Sequence, residues 1–143
     1  MFQTMSNART AYGRVGLDMG VETATPHKLI LMLYDGALLA VTQASASNSA
    51  GDKPAMSEAI MKADAIIAQG LRASLDTTVG GELAQRLASL YDYMCVRLQF
   101  ANLRGEKAIF DEVAGLLQEL RSAWQEIAKE GTAVSPSEVA ANG

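Results

Sequence analysis

Across residues 29–41 only Asp35 carries a charge. A helix that buries a single face needs apolar side chains over roughly three positions in seven, and this stretch exceeds that on every side. At about 100° per residue, Leu29, Leu33, Gly36 and Ala40 form one stripe and Ile30, Ala37 and Val41 lie beside it. Leu31 and Leu38 fall on the back, and Met32 and Leu39 fill a further arc. Such a segment must be packed by neighbours on more than one side, or else leave apolar surface for another molecule.

The rest of the chain supplies the neighbours. The three prolines, Pro26, Pro54 and Pro136, all lie outside the apolar-periodic stretches, and Ala, Leu and Met are plentiful, so an all-α class is expected. Thr25 before Pro26 reads as an N-cap with proline at the first helical position, where its missing N–H is of no consequence. The first helix is predicted over residues 26 to about 45, followed by a small, polar loop over residues 45–51. Asp52-Lys53-Pro54 starts a second helix whose stripe is Met56, Ile60, Ala63, Ile67, Gly70 and Ser74, widened by Ile66 and Leu71. Gly70 either admits a closely packed neighbour or marks a weak point near the helix end; close approach is the reading adopted.

After the break at residues 76–81, Glu82 places an acid in the first turn of a third helix, where the helix dipole favours it. Leu83, Leu87, Leu90, Met94, Leu98 and Ala101 step by four and three, the spacing of a seam facing a bundle neighbour. Gly105 is the expected left-handed cap. A fourth helix carries Ile109, Val113, Leu116, Leu120, Ala123 and Ile127 and ends before Gly131. The connection at Gly105-Glu106 is so short that the last two helices must be antiparallel neighbours. The chain is therefore expected to be one domain: an antiparallel four-helix bundle over residues 25–130, a short mobile N-terminal segment over residues 1–24, and a disordered tail over residues 131–143.

Charge and composition narrow the function classes. A net charge of −4 without a local run of Lys or Arg disfavours nucleic acid as a partner. Cys95 is the only cysteine, so no intrachain disulfide can form, and a reducing cytoplasm is expected. No basic segment followed by an apolar one opens the chain, and residues 29–41 are too few to span a bilayer, so neither a cleaved signal nor membrane insertion is expected. Neither Glu-x-x-His nor Cys-x-x-Cys-His occurs, so no metal or cofactor is expected. Cys95 reads as a small apolar filler rather than a nucleophile, and no catalytic residue is assigned. His27 reads as a polar surface residue, Trp124 as an anchor of core packing, and Asp35 and Asp92 as acids engaged in local hydrogen bonding or solvation.

The third helix has a second stripe. Tyr93, Val96, Phe100 and Leu103 are separated from its main seam by Arg86, Arg97 and Arg104. Either the stripe touches the N-terminal segment or another helix, or it is a surface awaiting a partner's amphipathic helix. The two readings are compatible if a mobile segment covers the surface until a partner displaces it. Residues 1–24, with Phe2, Tyr12, Val15, Leu17, Met19 and Val21 among Gly13, Gly16 and Gly20, have a suitable composition. An arm packed permanently on the bundle fits that composition equally well.

The tripeptide Leu-Tyr-Asp occurs at residues 33–35 and again at residues 90–92. Around the two copies stand Ala11-Tyr12, Thr25-Pro26-His27-Lys28-Leu29, Met32-Leu33-Tyr34-Asp35-Gly36-Ala37, Ser74-Leu75-Asp76, Gly80-Gly81-Glu82-Leu83-Ala84, Leu90-Tyr91-Asp92-Tyr93-Met94, Arg97-Leu98, Ala101-Asn102 and Trp124. In order and spacing these resemble the FliS family of flagellin export chaperones, over residues 12–124. The resemblance implies a cytoplasmic, non-enzymatic helical bundle that binds the C-terminal segment of flagellin, blocks premature polymerisation and helps deliver it to a component of the flagellar export gate. It further implies that Tyr12 and its neighbours form a displaceable plug. The surplus faces of the first and third helices, represented by Ile30, Leu31, Tyr34 and Leu38 and by Tyr93, Val96, Phe100 and Leu103, would then contact flagellin. The alternative is a structural bundle that self-associates through the same faces, or an adaptor for another flagellar protein.

Overall fold

The computed structural model describes residues 25–76 and 80–131. These build four helices: α1 (Pro26–Ser49), α2 (Lys53–Ala65, continued as a π-helix over Ile66–Arg72), α3 (Gly81–Arg104) and α4 (Lys107–Gly131). The start signals act as expected. Thr25 Oγ1 accepts from the Lys28 amide at 3.1 Å, and Asp52 Oδ1 accepts from the Ala55 amide at 3.1 Å, each satisfying one otherwise orphaned donor. Gly105 caps α3 in the left-handed region (φ 65°), its amide bonded to the Ala101 carbonyl at 2.7 Å.

One expected loop is helix instead. Residues 45–49 continue α1 because tertiary contacts outweigh their weak local preference. Ala44 is fully buried, and Asn48 Nδ2 donates to the Gly105 carbonyl at 2.8 Å, tying the last turn of α1 to the α3–α4 corner.

The four helices form a ring in which α1 packs between α2 and α4, and α3 closes the opposite corner against the same two. The backbones of α1 and α3 do not approach each other, yet side chains bridge them at Tyr34–Tyr91 and at Asn48–Gly105. Both bridges join residues 57 apart, so these diagonal helices run parallel, as an up-down-up-down bundle requires.

Much of the apolar character of α1 finds its explanation here. By length and composition alone the helix could cross a membrane, with a mean hydropathy of 1.5. Its Leu29, Ile30, Leu33, Tyr34, Ala37, Ala40, Val41 and Ala44 are instead core of the bundle. The stripe of α2 is buried as expected, including Ile66 and Leu71, and the hydroxyl of buried Ser74 donates to the Leu71 carbonyl at 2.7 Å.

On α3 the expected seam is correct at Met94, Leu98 and Ala101 and turned by one residue before them. Ala84, Ala88 and Tyr91 are buried, whereas Leu87 and Leu90 line the edge and Leu83 is exposed. The small Ala84 and Ala88 take the inward positions once Tyr91 reaches across the bundle. On α4, Ile109, Phe110, Val113 and Leu117 are buried, Leu116 and Leu120 flank them, and Ala123 is exposed.

Gly70 is a point of close approach: a Cβ there would lie 2.9 Å from Leu33 Cδ2, and Leu33 is fully buried. Gly70→Ala gains helix propensity of about 1 kcal/mol but overpacks a filled site, which typically costs about 1–3 kcal/mol. The expected outcome is a net loss of stability, read as a lower urea midpoint. A raised midpoint would mean that Leu33 has room to turn aside.

Candidate functional site

The second stripe of α3 is on the surface. Tyr93 (42% exposed), Val96 (54%), Phe100 (42%) and Leu103 (76%) form a continuous apolar ridge on a helix whose opposite face is core. Over ten residues the ridge is about 15 Å long, three turns of a partner helix.

Its edges are pinned to the neighbouring helices. On the α4 side Tyr93 Oη donates to Glu112 Oε2 at 2.6 Å and Arg97 Nε donates to Glu112 Oε1 at 2.7 Å. The two donors hold the Glu112 carboxyl below its ordinary pKa, the tyrosine bond contributing most, and the same carboxylate raises Tyr93 and Arg97. On the α2 side Arg72 forks onto Asp92 at 2.7 and 3.2 Å. The other arginine of the expected charged strip that is paired, Arg86, bonds to Glu82 within its own helix. Exposed ion pairs of this kind contribute little to stability. Here they hold the side chains around the ridge in place.

Beneath the ridge, the two Leu-Tyr-Asp copies meet. The hydroxyls of Tyr34 and Tyr91 lie 2.6 Å apart in the core, and each following aspartate leaves the core to bind an arginine of another helix: Asp35 with Arg121 at 2.5 Å and Asp92 with Arg72 at 2.7 Å. Burial raises the Tyr34 hydroxyl to about 12 and raises Tyr91 as well.

His27 and Trp124 stack with ring centroids 4.7 Å apart and planes 11° from parallel, and Trp124 Nε1 donates to the His27 carbonyl at 3.0 Å. Trp124 thus anchors α4 to the first turn of α1. His27 is half-buried rather than the surface residue expected of it, because the indole covers one face and leaves Nε2 buried without a partner. Burial lowers its pKa below 6.5. The neutral ring is therefore favoured in the folded state, so stability associated with His27 is present above pH 6.5 and falls as the pH drops through the folded value. The melting temperature of the wild type should drop between pH 7.5 and 5 more than that of His27→Gln. Parallel curves would refute the assignment.

Cys95 is half-buried at the α2–α3 boundary. Burial first, then the neighbouring Asp64 carboxylate, pushes the thiol well above its ordinary pKa and makes it a poor nucleophile. No group of three His, Cys, Asp or Glu side chains that could hold a metal occurs among the described residues.

A ridge of exposed apolar side chains at helical spacing has the outline of a binding surface, and comparison with known proteins gives the chain a family. The profile of the family described as "Flagellar protein FliS" matches residues 7–131. The chain belongs to this family. It is 46% identical over 117 residues to the flagellar secretion chaperone FliS of Salmonella typhimurium, covering 82% of this chain and 87% of the relative. It is 33% identical over 135 residues to the FliS of Vibrio cholerae, covering 94% and 98%, and 34% identical over 122 residues to that of Bacillus subtilis, covering 85% and 86%. FliS is a chaperone family of flagellar assembly, not an enzyme family. The match extends beyond residues 12–124, which carry the motifs of the resemblance.

The expected contact residues differ in exposure. Tyr93, Val96, Phe100 and Leu103 are accessible. Leu31 and Leu38 are half-buried on α1, Leu38 packed against the core. Ile30 and Tyr34 are core residues, 1% and 3% exposed. Most of the apolar residues of α1 serve its packing against α2 and α4, Leu39 stays exposed, and the Tyr34 hydroxyl meets that of Tyr91. Tyr12, with the N-terminal arm and the C-terminal tail, lies outside the described residues. Sequence reasoning passed over Met61 and left Leu39 unassigned; both are exposed. Met61 was legible as the apolar residue that falls outside the α2 stripe.

Proposed function

We propose that this FliS protein is a cytoplasmic export chaperone that holds the C-terminal segment of flagellin and keeps it from polymerising before export. The observation that carries this reading is the α3 ridge: Tyr93, Val96, Phe100 and Leu103 stay exposed on a helix already supplied with a full core seam. Exposed apolar surface arranged at helical spacing matches an amphipathic segment that folds as it binds. Such a segment loses about 2–5 kcal/mol to ordering, which burial of apolar area at about 25 cal/mol per Å² offsets over a few hundred Å². In the same reading the arm carrying Tyr12 covers the apolar surface in the absence of flagellin, and the loaded chaperone delivers its client to a component of the export gate.

Calorimetric titration of the purified chain with the C-terminal segment of flagellin from the same cell, followed by circular dichroism of the mixture, tests the proposal. Stoichiometric binding with helix beyond the sum of the parts is the expected result. Absence of both heat and added helix, with a segment competent to polymerise within full-length flagellin, would overturn it.

A further inference from the structure

The boundary between α2 and α3 can be read in register. Ser57 Oγ donates to Asn102 Oδ1 at 2.6 Å, and further along Arg72 Nε donates to Asp92 Oδ1 at 2.7 Å. Moving forward on α2, from Ser57 to Arg72, moves back on α3, from Asn102 to Asp92, so the two helices pair antiparallel. The same register places Met61 level with Leu98, between the heights of Val96 and Leu103. Leu98 faces the core and Met61 faces out, 70% exposed. The ridge itself crosses α3 obliquely: steps of three, four and three are shorter on average than a helical turn, so successive residues drift around the axis. It begins at Tyr93, bonded to α4, and drifts toward the α2 side by Leu103. Met61 therefore stands across the boundary level with the middle of the ridge, on the side toward which Leu103 drifts.

The charges there complete the pattern. Arg72, Arg86 and Arg97 are each neutralised by a carboxylate, whereas Lys62, next to Met61, and Arg104, next to Leu103, have no ion-pair partner among the described residues. Both are exposed. In a chain of net charge −4, two free cations beside the two most exposed apolar residues of this face are complementary to acids flanking an apolar stripe.

We propose that the client helix lies across the α2–α3 boundary, with Met61 as the second apolar wall opposite the ridge and with Lys62 and Arg104 pairing with acidic residues on its flanks. This rests on the flagellin reading and specifies the partner as an acid-flanked amphipathic helix. Exposed thioether and leucine side chains suit such a partner because they adapt to its surface.

Titration of the full chain with the flagellin C-terminal segment at several salt concentrations provides the test, using Met61→Asp, the double variant Lys62→Glu with Arg104→Glu, and Phe100→Asp. Met61→Asp is expected to weaken binding at least tenfold with unchanged helix content. The double charge variant is expected to weaken it several-fold at low salt and to flatten its salt dependence. If Phe100→Asp weakens binding while Met61→Asp and the charge variant do not, the client stays on α3 and this inference is overturned while the flagellin reading stands. If the wild type does not bind, the flagellin reading itself fails. If Met61→Asp instead abolishes a concentration-dependent association of the chain alone, seen by sedimentation, the occupant is a second copy and the inference is wrong.

Discussion

Replacing Phe100 and Leu103 together by aspartate is expected to lower affinity for the flagellin C-terminal segment by about a hundredfold or more, while helix content and urea midpoint stay near those of the wild type. The magnitude follows from burial on binding. Each large apolar side chain fully removed from water contributes about 1.5–3 kcal/mol, and every 1.4 kcal/mol is a factor of about ten in Kd. The specificity follows from exposure: both side chains already face solvent in the free protein, so a carboxylate there meets water and no cavity opens. Titration calorimetry beside circular dichroism separates the outcomes. Retained affinity in a folded double variant would remove the ridge from the binding surface. Loss of helix would show that these residues support the bundle.

The second large effect lies in the core. Tyr91→Ala is expected to destabilise the bundle by about 3–5 kcal/mol, the range for truncating a buried aromatic residue, out of a total that for such domains is about 5–15 kcal/mol. Tyr91 is fully buried and its hydroxyl has the Tyr34 hydroxyl as partner, so truncation leaves both a cavity and an orphaned polar group. Tyr34→Phe and Tyr91→Phe isolate the second component. Each strands one buried hydroxyl, at a cost of about 1–3 kcal/mol, whereas the double phenylalanine variant strands none and should lose less than the two singles combined. Urea denaturation of the four proteins closes the cycle; additive losses would mean that the hydrogen bond does not couple the diagonal helices.

The same pair sets an alkaline limit. Both hydroxyls are raised above the ordinary value of 10 by burial, so the neutral forms favour folding. Their contribution is intact below pH 10 and declines as the pH rises from 10 toward 12 and beyond. The double phenylalanine variant should lose less stability over that interval than the wild type.

Much of this was legible beforehand because it is local. Thr25, Pro26 and Asp52 set helix starts through bonds within one turn, and Gly105 sets a stop through its own φ. The ridge was legible for a related reason: Tyr93, Val96, Phe100 and Leu103 share a face by spacing alone, and Met94, Leu98 and Ala101 already supplied that helix with a seam. Gly70 was readable as a contact point, although its partner Leu33 was not. The end of α1 was misread, since nothing in residues 45–49 announces that Asn48 meets Gly105 across the bundle.

Four helices, their caps and short connections, and one apolar stripe too many on α3 were determined by the sequence itself, through interactions that span only a few residues. Tertiary structure decided which apolar residues are core and which are surface. Rotating α3 by one residue exchanges Leu83, Leu87 and Leu90 for Ala84, Ala88 and Tyr91, two sets with the same periodicity. The choice is made by Tyr34, 57 residues away, whose hydroxyl pairs with that of Tyr91. The same bond holds Tyr34 in the core, and it turns two copies of a tripeptide into a brace across the bundle, because a buried hydroxyl without a partner is more costly than a displaced leucine at the edge.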